Sequence, residues 1–214
     1  MSPDDDTPMR ADARRNRDQI IGAAKVIFAS EGPDAPMEEI ARRAGVGVGT
    51  LYRRFPDRDA LIRGVARDNL ASTLAHAKAA AAEESTGWAA LERLMRHSEE
   101  MALSVRLAML SPSVWTTLKE DPVARRLRDE LMTIIDEVVH TAQAEGSLRP
   151  DVGAGDVAAL FSVLLRRLRD PDTEIRRMAR DRALAIMLDG LRVRPDAASL
   201  PGHPLSPDEV YPAK

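Results

Sequence analysis

The residues from Thr50 to Arg54 are of types that bind nucleic acid. Thr50 and Tyr52 carry hydroxyl groups suited to phosphate oxygens. The guanidinium groups of Arg53 and Arg54 can each form two parallel hydrogen bonds with a guanine edge or with a phosphate. At helical spacing Thr50, Arg53 and Arg54 fall together on one face. This arrangement predicts a helix that presents a DNA-binding surface.

Two other patterns resemble chemical sites but lack the partners that such sites need. Glu137 and His140 have the three-residue spacing of helical di-iron sites, but the sequence has no second pair of this kind. The run Gly45–Gly49 alternates glycine with valine, but no strand is predicted before it and no Walker-type lysine follows it. The absence of cysteine excludes disulfides, thiolate metal ligands and cysteine nucleophiles. We therefore predict no catalytic residue, no metal site and no cofactor.

Length and composition are those of a globular protein with one or two domains. The chain has 214 residues, of which 44% are apolar, enough to build a core. The net charge is -3, yet the segment from Arg10 to Arg63 carries 11 Lys and Arg against 8 Asp and Glu. The sequence begins with an acidic run rather than a cationic signal peptide, and no uncharged run approaches the ~20 residues of a membrane span. We expect a cytoplasmic protein with no membrane partner.

Apolar residues recur at three- and four-residue spacing, which predicts an all-α fold. No segment alternates like a strand, and only 3% of the residues are aromatic. Glycine and proline divide the chain into about nine predicted helices, at residues 14–30, 36–45, 48–55, 57–84, 88–110, 113–119, 122–145, 155–169 and 172–190. The ends, residues 1–9 and 193–214, are acidic or rich in proline, and we predict that they are disordered.

The glycine turn at Gly45 joins two of the short predicted helices, which is typical of a helix-turn-helix unit. The second helix of such a unit can enter the major groove of DNA, which is wide enough to admit it. Leu51 and Phe55 lie four residues apart on this second helix and are predicted to face inward. Asp57 follows it and is expected to cap a long fourth helix that links two domains.

The order of residues from Pro36 to Leu61 resembles the DNA-binding signature of the TetR family of bacterial transcription regulators. The matching residues are Ile40-Ala41, Ala44-Gly45-Val46, Gly49-Thr50-Leu51-Tyr52, Phe55, Arg58 and Leu61. The resemblance implies a three-helix DNA-binding domain and a larger helical domain that binds a small effector and dimerises through its last two long helices. It also implies repression that is relieved when the effector binds.

Several residues are predicted to contact DNA. By the resemblance, Thr50 and Tyr52 match positions that usually contact phosphate, and Arg58 stands where a lysine commonly holds phosphate. Residue types alone indicate two further groups of contacts. The glycines at the start of the third helix leave backbone amides accessible to a phosphate, and the start of the first helix is basic. The full set is Arg14, Arg15, Arg17, Gly47, Val48, Gly49, Thr50, Tyr52, Arg53, Arg54 and Arg58.

Three positions depart from the family pattern. Gly47 stands where the family often has a serine that caps the third helix, and Pro36 stands where a threonine often contacts phosphate. Arg54 stands where histidine is common. Two hydroxyl contacts are lost and one permanent charge is gained, so we expect the mode of docking to transfer from the family but not the DNA sequence that is read.

The domains follow from these elements. Residues 10–56 form the predicted helix-turn-helix domain, and residues 57–192 form the predicted effector-binding and dimerisation domain. The apolar candidates for the effector pocket are Trp88, Met95, Met101, Trp115 and Ile135. The last helices carry more apolar surface than one edge of a bundle should expose, and the candidates for a two-fold dimer interface are Phe161, Leu164, Leu165, Leu168, Met178 and Ile186.

The sequence thus indicates a ligand-responsive transcription regulator without enzymatic activity. Its expected partners are double-stranded operator DNA, a second copy of the chain and a small apolar effector, with each copy reading one half of a pseudo-palindromic operator. Two alternatives stay open. One is an all-helical ligand-binding protein or enzyme whose DNA-binding domain is non-functional. The other is a regulator that is controlled by a protein partner.

Overall fold

The structure, a computed structural model, describes residues 6–96, 116, 119–166 and 174–210. Within those ranges lie nine helices: α1 (Asp6–Glu31), α2 (Met37–Ala44), α3 (Val48–Arg54), α4 (Arg58–Glu83), α5 (Gly87–Arg96), α6 (Pro122–Ala144), α7 (Ala154–Arg166), α8 (Glu174–Leu191) and α9 (Pro207–Val210). The same residues contain no strand beyond an isolated bridge between Leu148 and Arg192. The predicted all-α fold is confirmed. None of the helices described is long and apolar enough to cross a membrane.

Most predicted helix boundaries agree with the structure to within two residues, and the largest difference is at the start of α1. This helix begins at Asp6, although the sequence predicted residues 1–9 to be disordered and a helix only from residue 14. The predicted helices at 88–110, 113–119, 155–169 and 172–190 fall partly outside the described residues. The proposed helix cap at Asp57 is confirmed, because its Oδ1 accepts a hydrogen bond from the backbone amide of Ala60 at 2.6 Å.

The chain divides into two compact units. The first unit comprises Met1–Asn69 and Arg106–Ala124, and the second comprises Leu70–Val105 and Arg125–Lys214. The first unit is larger than the predicted domain of residues 10–56. The first unit extends into α4 because the first turns of this helix supply core residues to it. The side chains of Leu61, Ile62 and Val65 are buried there.

The core of the first unit is built from one face of each of its helices. The apolar stripe predicted for α1 is buried, at Ile20, Ile21, Ala24, Ile27 and Phe28. A Cβ added at Gly64 would lie 2.7 Å from Cε1 of Phe55 and 3.1 Å from Cδ1 of Ile21. The missing side chain at Gly64 therefore allows α4 to pack closely against α1 and against Phe55, which follows α3.

The segment of residues 193–210 differs from the predicted disorder, because it is hydrogen-bonded along the second unit. Nη2 of Arg149 donates to the carbonyl oxygen of Ala198 at 2.7 Å. The amide of Gly155 donates to the carbonyl oxygen of Leu205 at 2.9 Å. Most of this segment is neither helix nor strand, but an extended chain can still be held by such bonds.

Gly87 permits a close approach of two helices in the second unit. Its amide nitrogen lies 3.0 Å from both carboxylate oxygens of Glu145, which places a negative charge at the N-terminus of α5. A Cβ at Gly87 would lie 2.4 Å from the backbone nitrogen of Ala142 and 2.9 Å from its Cα. Because these atoms belong to the backbone of α6, they cannot move aside by changing a rotamer.

We predict that Gly87→Ala lowers the free energy of unfolding by ~2 kcal/mol or more, since the new methyl group must push α5 away from α6. Gly190→Ala is the matched control in the same unit, because a Cβ at that position in α8 would have no neighbour within 4 Å. The control should leave stability unchanged or raise it by up to ~1 kcal/mol. Urea unfolding followed by circular dichroism measures both variants, and equal stabilities would contradict the close packing.

Candidate nucleic-acid interface

A glycine with left-handed backbone makes the turn between α2 and α3. Gly45 has φ 68° and ψ 25°, a conformation that costs other residues about 1–2 kcal/mol. Its amide donates to the carbonyl oxygen of Arg42 at 3.2 Å, and the amide of Val46 donates to that of Ala41 at 3.1 Å. These bonds satisfy the last carbonyl groups of α2, so that the chain can reverse and begin α3 at Val48.

Helix α3 is held in place by its apolar side. Leu51 is fully buried, and Phe55, which follows the last residue of the helix, is almost completely buried. Gly47 is the N-cap and provides no side-chain hydrogen bond, but its carbonyl oxygen accepts from the amides of Thr50 at 2.8 Å and Leu51 at 3.1 Å. The inward positions predicted for Leu51 and Phe55 are confirmed.

The outer side of α3 brings together the polar residues predicted to read DNA. Tyr52 is 41% exposed and Val48 is 40% exposed. Arg53 and Arg54 are also exposed. Nη2 of Arg53 donates to Oγ1 of Thr50 at 3.0 Å, one turn earlier on the same helix. This bond holds the guanidinium of Arg53 along the exposed face, where its other N–H groups stay available to a base or a phosphate.

Arg58 has a structural contact that the sequence did not predict. Its Nη1 donates to the carbonyl oxygen of Pro33 at 2.9 Å and also to that of Ala35. These bonds attach the start of α4 to the loop between α1 and α2. A guanidinium has five N–H donors, so this contact is compatible with a phosphate contact by Arg58, which stays a prediction.

The three arginines predicted on α1 lie in different charge environments. Arg14 and Arg15 are exposed, and Arg15 forms an ion pair with Asp12. Arg17 is half-buried, and its Nη1 lies 4.0 Å from Oδ1 of Asp68 on α4. Arg14 therefore retains the most available positive charge of the three.

Sequence reasoning missed two arginines of α4, Arg63 and Arg67. They line a cleft of about 330 Å³ in the first unit, together with two arginines that were predicted to contact DNA. We call this cavity the arginine cleft, and its residues are Arg17, Arg54, Phe55, Ala60, Arg63, Gly64 and Arg67. The four-residue spacing of Arg63 and Arg67 places them on one face of α4, but only the packing of the helices shows which residues they join.

Three of the residues predicted for the effector pocket lie in or against the apolar core of the second unit. Trp88 and Met95 are buried in it, and Ile135 is half-buried against it. Met101 and Trp115 lie outside the described residues. These positions are compatible with a pocket and equally with plain core packing, so the effector site stays a prediction.

Trp88 is an exception within this core, because its indole Nε1 is buried without a hydrogen-bond partner among the residues that the structure describes. Its ring also lies beneath a cation, with Cζ of Arg192 at 4.1 Å from the ring centroid. A buried N–H group without a partner is unfavourable by about 1–3 kcal/mol, so a ligand atom that accepts this bond would be bound more tightly.

The residues predicted for the dimer interface separate into two groups where they are described. Phe161 on α7 is half-buried and packs against the core of the second unit. Met178 and Ile186 on α8 are exposed. The side chains of the other three lie outside the described part of the chain: Leu164, Leu165 and Leu168.

Groups that could hold a metal are not found among the described residues, since no three His, Asp or Glu side chains converge there. His140, which the sequence pairs with Glu137, instead has its Nδ1 at 2.8 Å from the carbonyl oxygen of Asp136. This contact is a local one within α6.

Comparison with family models identifies relatives of both parts of the chain. Residues 20–65 match the model described as "Bacterial regulatory proteins, tetR family". Residues 90–193 match the model described as "Transcriptional regulator SbtR-like, C-terminal domain". The first match covers α2, the glycine turn and α3 with its exposed polar face, together with parts of α1 and α4.

Comparison with single proteins gives the same result. A TetR transcription regulatory protein from Mycobacterium vanbaalenii is 33% identical, with a TM-score of 0.64 over 87% of this chain and 100% of that one. A TetR transcriptional regulator from Streptomyces coelicolor is 32% identical, with a TM-score of 0.66 over 85% and 99% of the two chains. An HTH-type transcriptional regulator of Staphylococcus aureus (strain USA300) is 39% identical over 71 residues, which are 33% of this chain and only 38% of that relative.

Proposed function

Since the chain belongs to the TetR family of bacterial regulatory proteins, we propose that it is a repressor that binds a pseudo-palindromic operator as a homodimer and is released by a small apolar effector. The observation that carries the proposal is the exposed face of α3, where Tyr52, Arg53 and Arg54 project from a helix anchored by Leu51. An anchored helix keeps these groups in fixed positions, which recognition of base edges requires.

In the proposed complex, α3 of each copy occupies the major groove of one half-site. The two half-sites are expected to lie one helical turn of DNA apart, about 34 Å, or a multiple of that distance. Arg53 would bond base edges or phosphate, and Tyr52 would bond phosphate. The net charge of -3 does not oppose this, because a dimer needs positive charge only where it meets DNA.

We predict that Tyr52→Ala and Arg53→Ala each weaken operator binding about tenfold or more, since each removes a contact to DNA. Arg126→Ala is the control, because Arg126 is also exposed but lies on α6 in the second unit. The operator is obtained by selecting fragments of the source genome on the purified protein, and gel retardation in ~0.15 M salt gives the affinities.

Binding by both variants as strong as that of the Arg126→Ala control would exclude α3 as the reading helix. Circular dichroism and the oligomeric state should match the parent protein, so that a loss of binding cannot be ascribed to unfolding.

The dimer interface is proposed from the two apolar faces of α8. One face is buried in the second unit, at Leu184, Leu188 and Leu191. The opposite face is exposed although it is also apolar, at Ile175, Met178 and Ile186. A helix that is apolar on opposite sides is normally buried on both, and a second copy of the same helix would cover the exposed side.

We predict that Ile186→Asp raises the dimer dissociation constant ~30-fold or more, because it places a carboxylate in an apolar interface. Val26→Asp is the control, since Val26 is an exposed apolar residue on α1. Sedimentation equilibrium measures the monomer–dimer balance of the parent and of both variants. A parent that is monomeric, or an Ile186→Asp protein that dimerises like the parent, would remove α8 from the interface.

The effector is proposed to bind beside Trp88 in the second unit and to offer it a hydrogen-bond acceptor. The core around Trp88 is apolar, including Met95 and Leu91, so that an apolar ligand body suits it. The Nε1 group of Trp88 is the one polar group there that is buried without a partner among the described residues. An apolar molecule with a carbonyl oxygen fits both observations.

We predict that apolar ketones or esters raise the melting temperature of the protein and change the fluorescence of Trp88. Trp115→Phe leaves Trp88 as the single tryptophan, which makes the signal specific. Trp88→Phe should weaken ketone binding about three- to tenfold in the thermal-shift assay, because one hydrogen bond is lost. Hydrocarbons of the same shape should bind both proteins equally. Equal ketone binding with and without Trp88 would exclude the hydrogen bond.

A further inference from the structure

We propose that the arginine cleft binds one phosphate group of the operator backbone, with Arg54 and Arg63 as its ligands. This contact presupposes the proposed function, because the phosphate belongs to operator DNA. It adds a residue of α4, Arg63, to a DNA-binding surface otherwise drawn from α1, the glycine turn, α3 and Arg58. The charges, the shape and the position of the cleft each support it.

One of the four arginines in the cleft is already neutralised by a buried carboxylate. Arg67 binds Asp121 through two hydrogen bonds, Nε to Oδ2 at 2.6 Å and Nη2 to Oδ1 at 2.9 Å. Burial by itself would raise the pKa of Asp121, but the bonds from Arg67 and from the amides of Val123 and Ala124 lower it overall. The carboxylate is therefore charged at neutral pH, and Arg67 is held at the wall of the cleft.

A second arginine of the cleft is balanced in part. Arg17 lies 4.0 Å from a carboxylate oxygen of Asp68, which also binds Lys25 at 2.9 Å. Within the part of the chain that the structure describes, no carboxylate pairs with Arg54 or Arg63. Two guanidinium groups thus border the cavity with their charge available, which suits an anion.

The remaining surface of the cleft is small and apolar. Ala60 and Gly64 present little or no side chain, and the ring of Phe55 packs so close to Gly64 that a Cβ there would lie 2.7 Å from it. Apolar neighbours exclude water from one side of a bound anion, which strengthens its hydrogen bonds to the guanidinium groups.

The position of the cleft relates it to DNA rather than to a free anion. Arg54 is the last residue of α3 and follows Arg53, which lies on the exposed face of the same helix. When a helix lies in the major groove, residues beside its ends face the phosphates that border the groove. Guanidinium groups match the geometry of a phosphate, with which they form paired hydrogen bonds. Arg63 is then a positioning contact that carries no sequence information.

The central variant is Arg63→Gln, compared with Arg126→Gln as a control of equal charge change on α6. Arg63→Gln should weaken binding to the operator and to unrelated DNA by a similar factor of about ten, because a phosphate contact does not depend on sequence. The slope of log affinity against log salt concentration should fall by ~0.9 per phosphate, and hence by about two for a dimer. Arg63→Lys should keep the slope, since it keeps the charge.

Operators with a single neutral methylphosphonate in each half-site locate the contact. At one position the neutral linkage should weaken the parent protein more than Arg63→Gln, which keeps only the contact from Arg54, so that the difference between the two proteins becomes smaller at that operator. If the two proteins differ by the same factor at every position, Arg63 contacts no phosphate and the inference is wrong. Melting temperatures of Arg63→Gln and Arg126→Gln that are close to that of the parent exclude unfolding as the cause.

The other outcomes separate this inference from the proposed function. If Arg63→Gln binds DNA like the parent while Tyr52→Ala does not, the cleft has no part in binding and the repressor assignment stands. If the parent itself retards no genomic fragment, the proposed function fails and the cleft assignment fails with it. Calorimetric titration with pyrophosphate tests for a small anion. If the parent binds pyrophosphate at micromolar concentration, and Arg63→Gln loses this binding but keeps its affinity for DNA, the cleft is the site of a small anion instead.

Discussion

The packing of Phe55 against Gly64 is the contact on which the proposed DNA-binding surface depends. A single aromatic ring lies between the end of α3 and the second turn of α4, and the neighbouring Ile21 brings α1 to the same point. Because residue 64 has no side chain, α4 can approach the ring, and the approach fixes where α3 ends. This contact and the buried Leu51 hold the inner side of α3 in place, and they thereby position the exposed arginines of the helix. The same ring forms the apolar wall of the arginine cleft.

Local sequence signals predicted the structure around α3 well. Gly45 adopts the left-handed conformation expected of a glycine after a helix, Asp57 caps α4, and the inward and outward residues of α3 are those that helical spacing gives. Each of these features is determined by residues within a few positions along the chain, so periodicity and capping rules suffice to find it. The identity of the family could be inferred for the same reason, since its signature is contiguous.

Features that depend on distant residues were not predictable in this way. Arg58 bonds to carbonyl groups more than twenty residues earlier, and Arg67 binds Asp121, 54 positions later in the chain. No local rule relates such positions, and an arginine on a helix has the same local pattern whether it binds DNA, a carboxylate or water. The extended segment of residues 193–210 was missed because its composition resembles that of disordered chains, whereas its order comes from hydrogen bonds to partners about fifty residues away.

That extended segment also bears on how the protein is made. The amide of Gly155 bonds to Leu205, and a Cβ at Gly155 would lie 2.4 Å from the carbonyl oxygen of Ser206, so this part of the second unit is shaped around residues translated about fifty positions later. During synthesis α1, α2 and α3 leave the ribosome long before those residues exist. The nascent chain can therefore hold these three helices while the start of α7 still exposes the backbone that the later segment covers. Translation of the first unit, whose last segment ends at Ala124, is complete before that of the second.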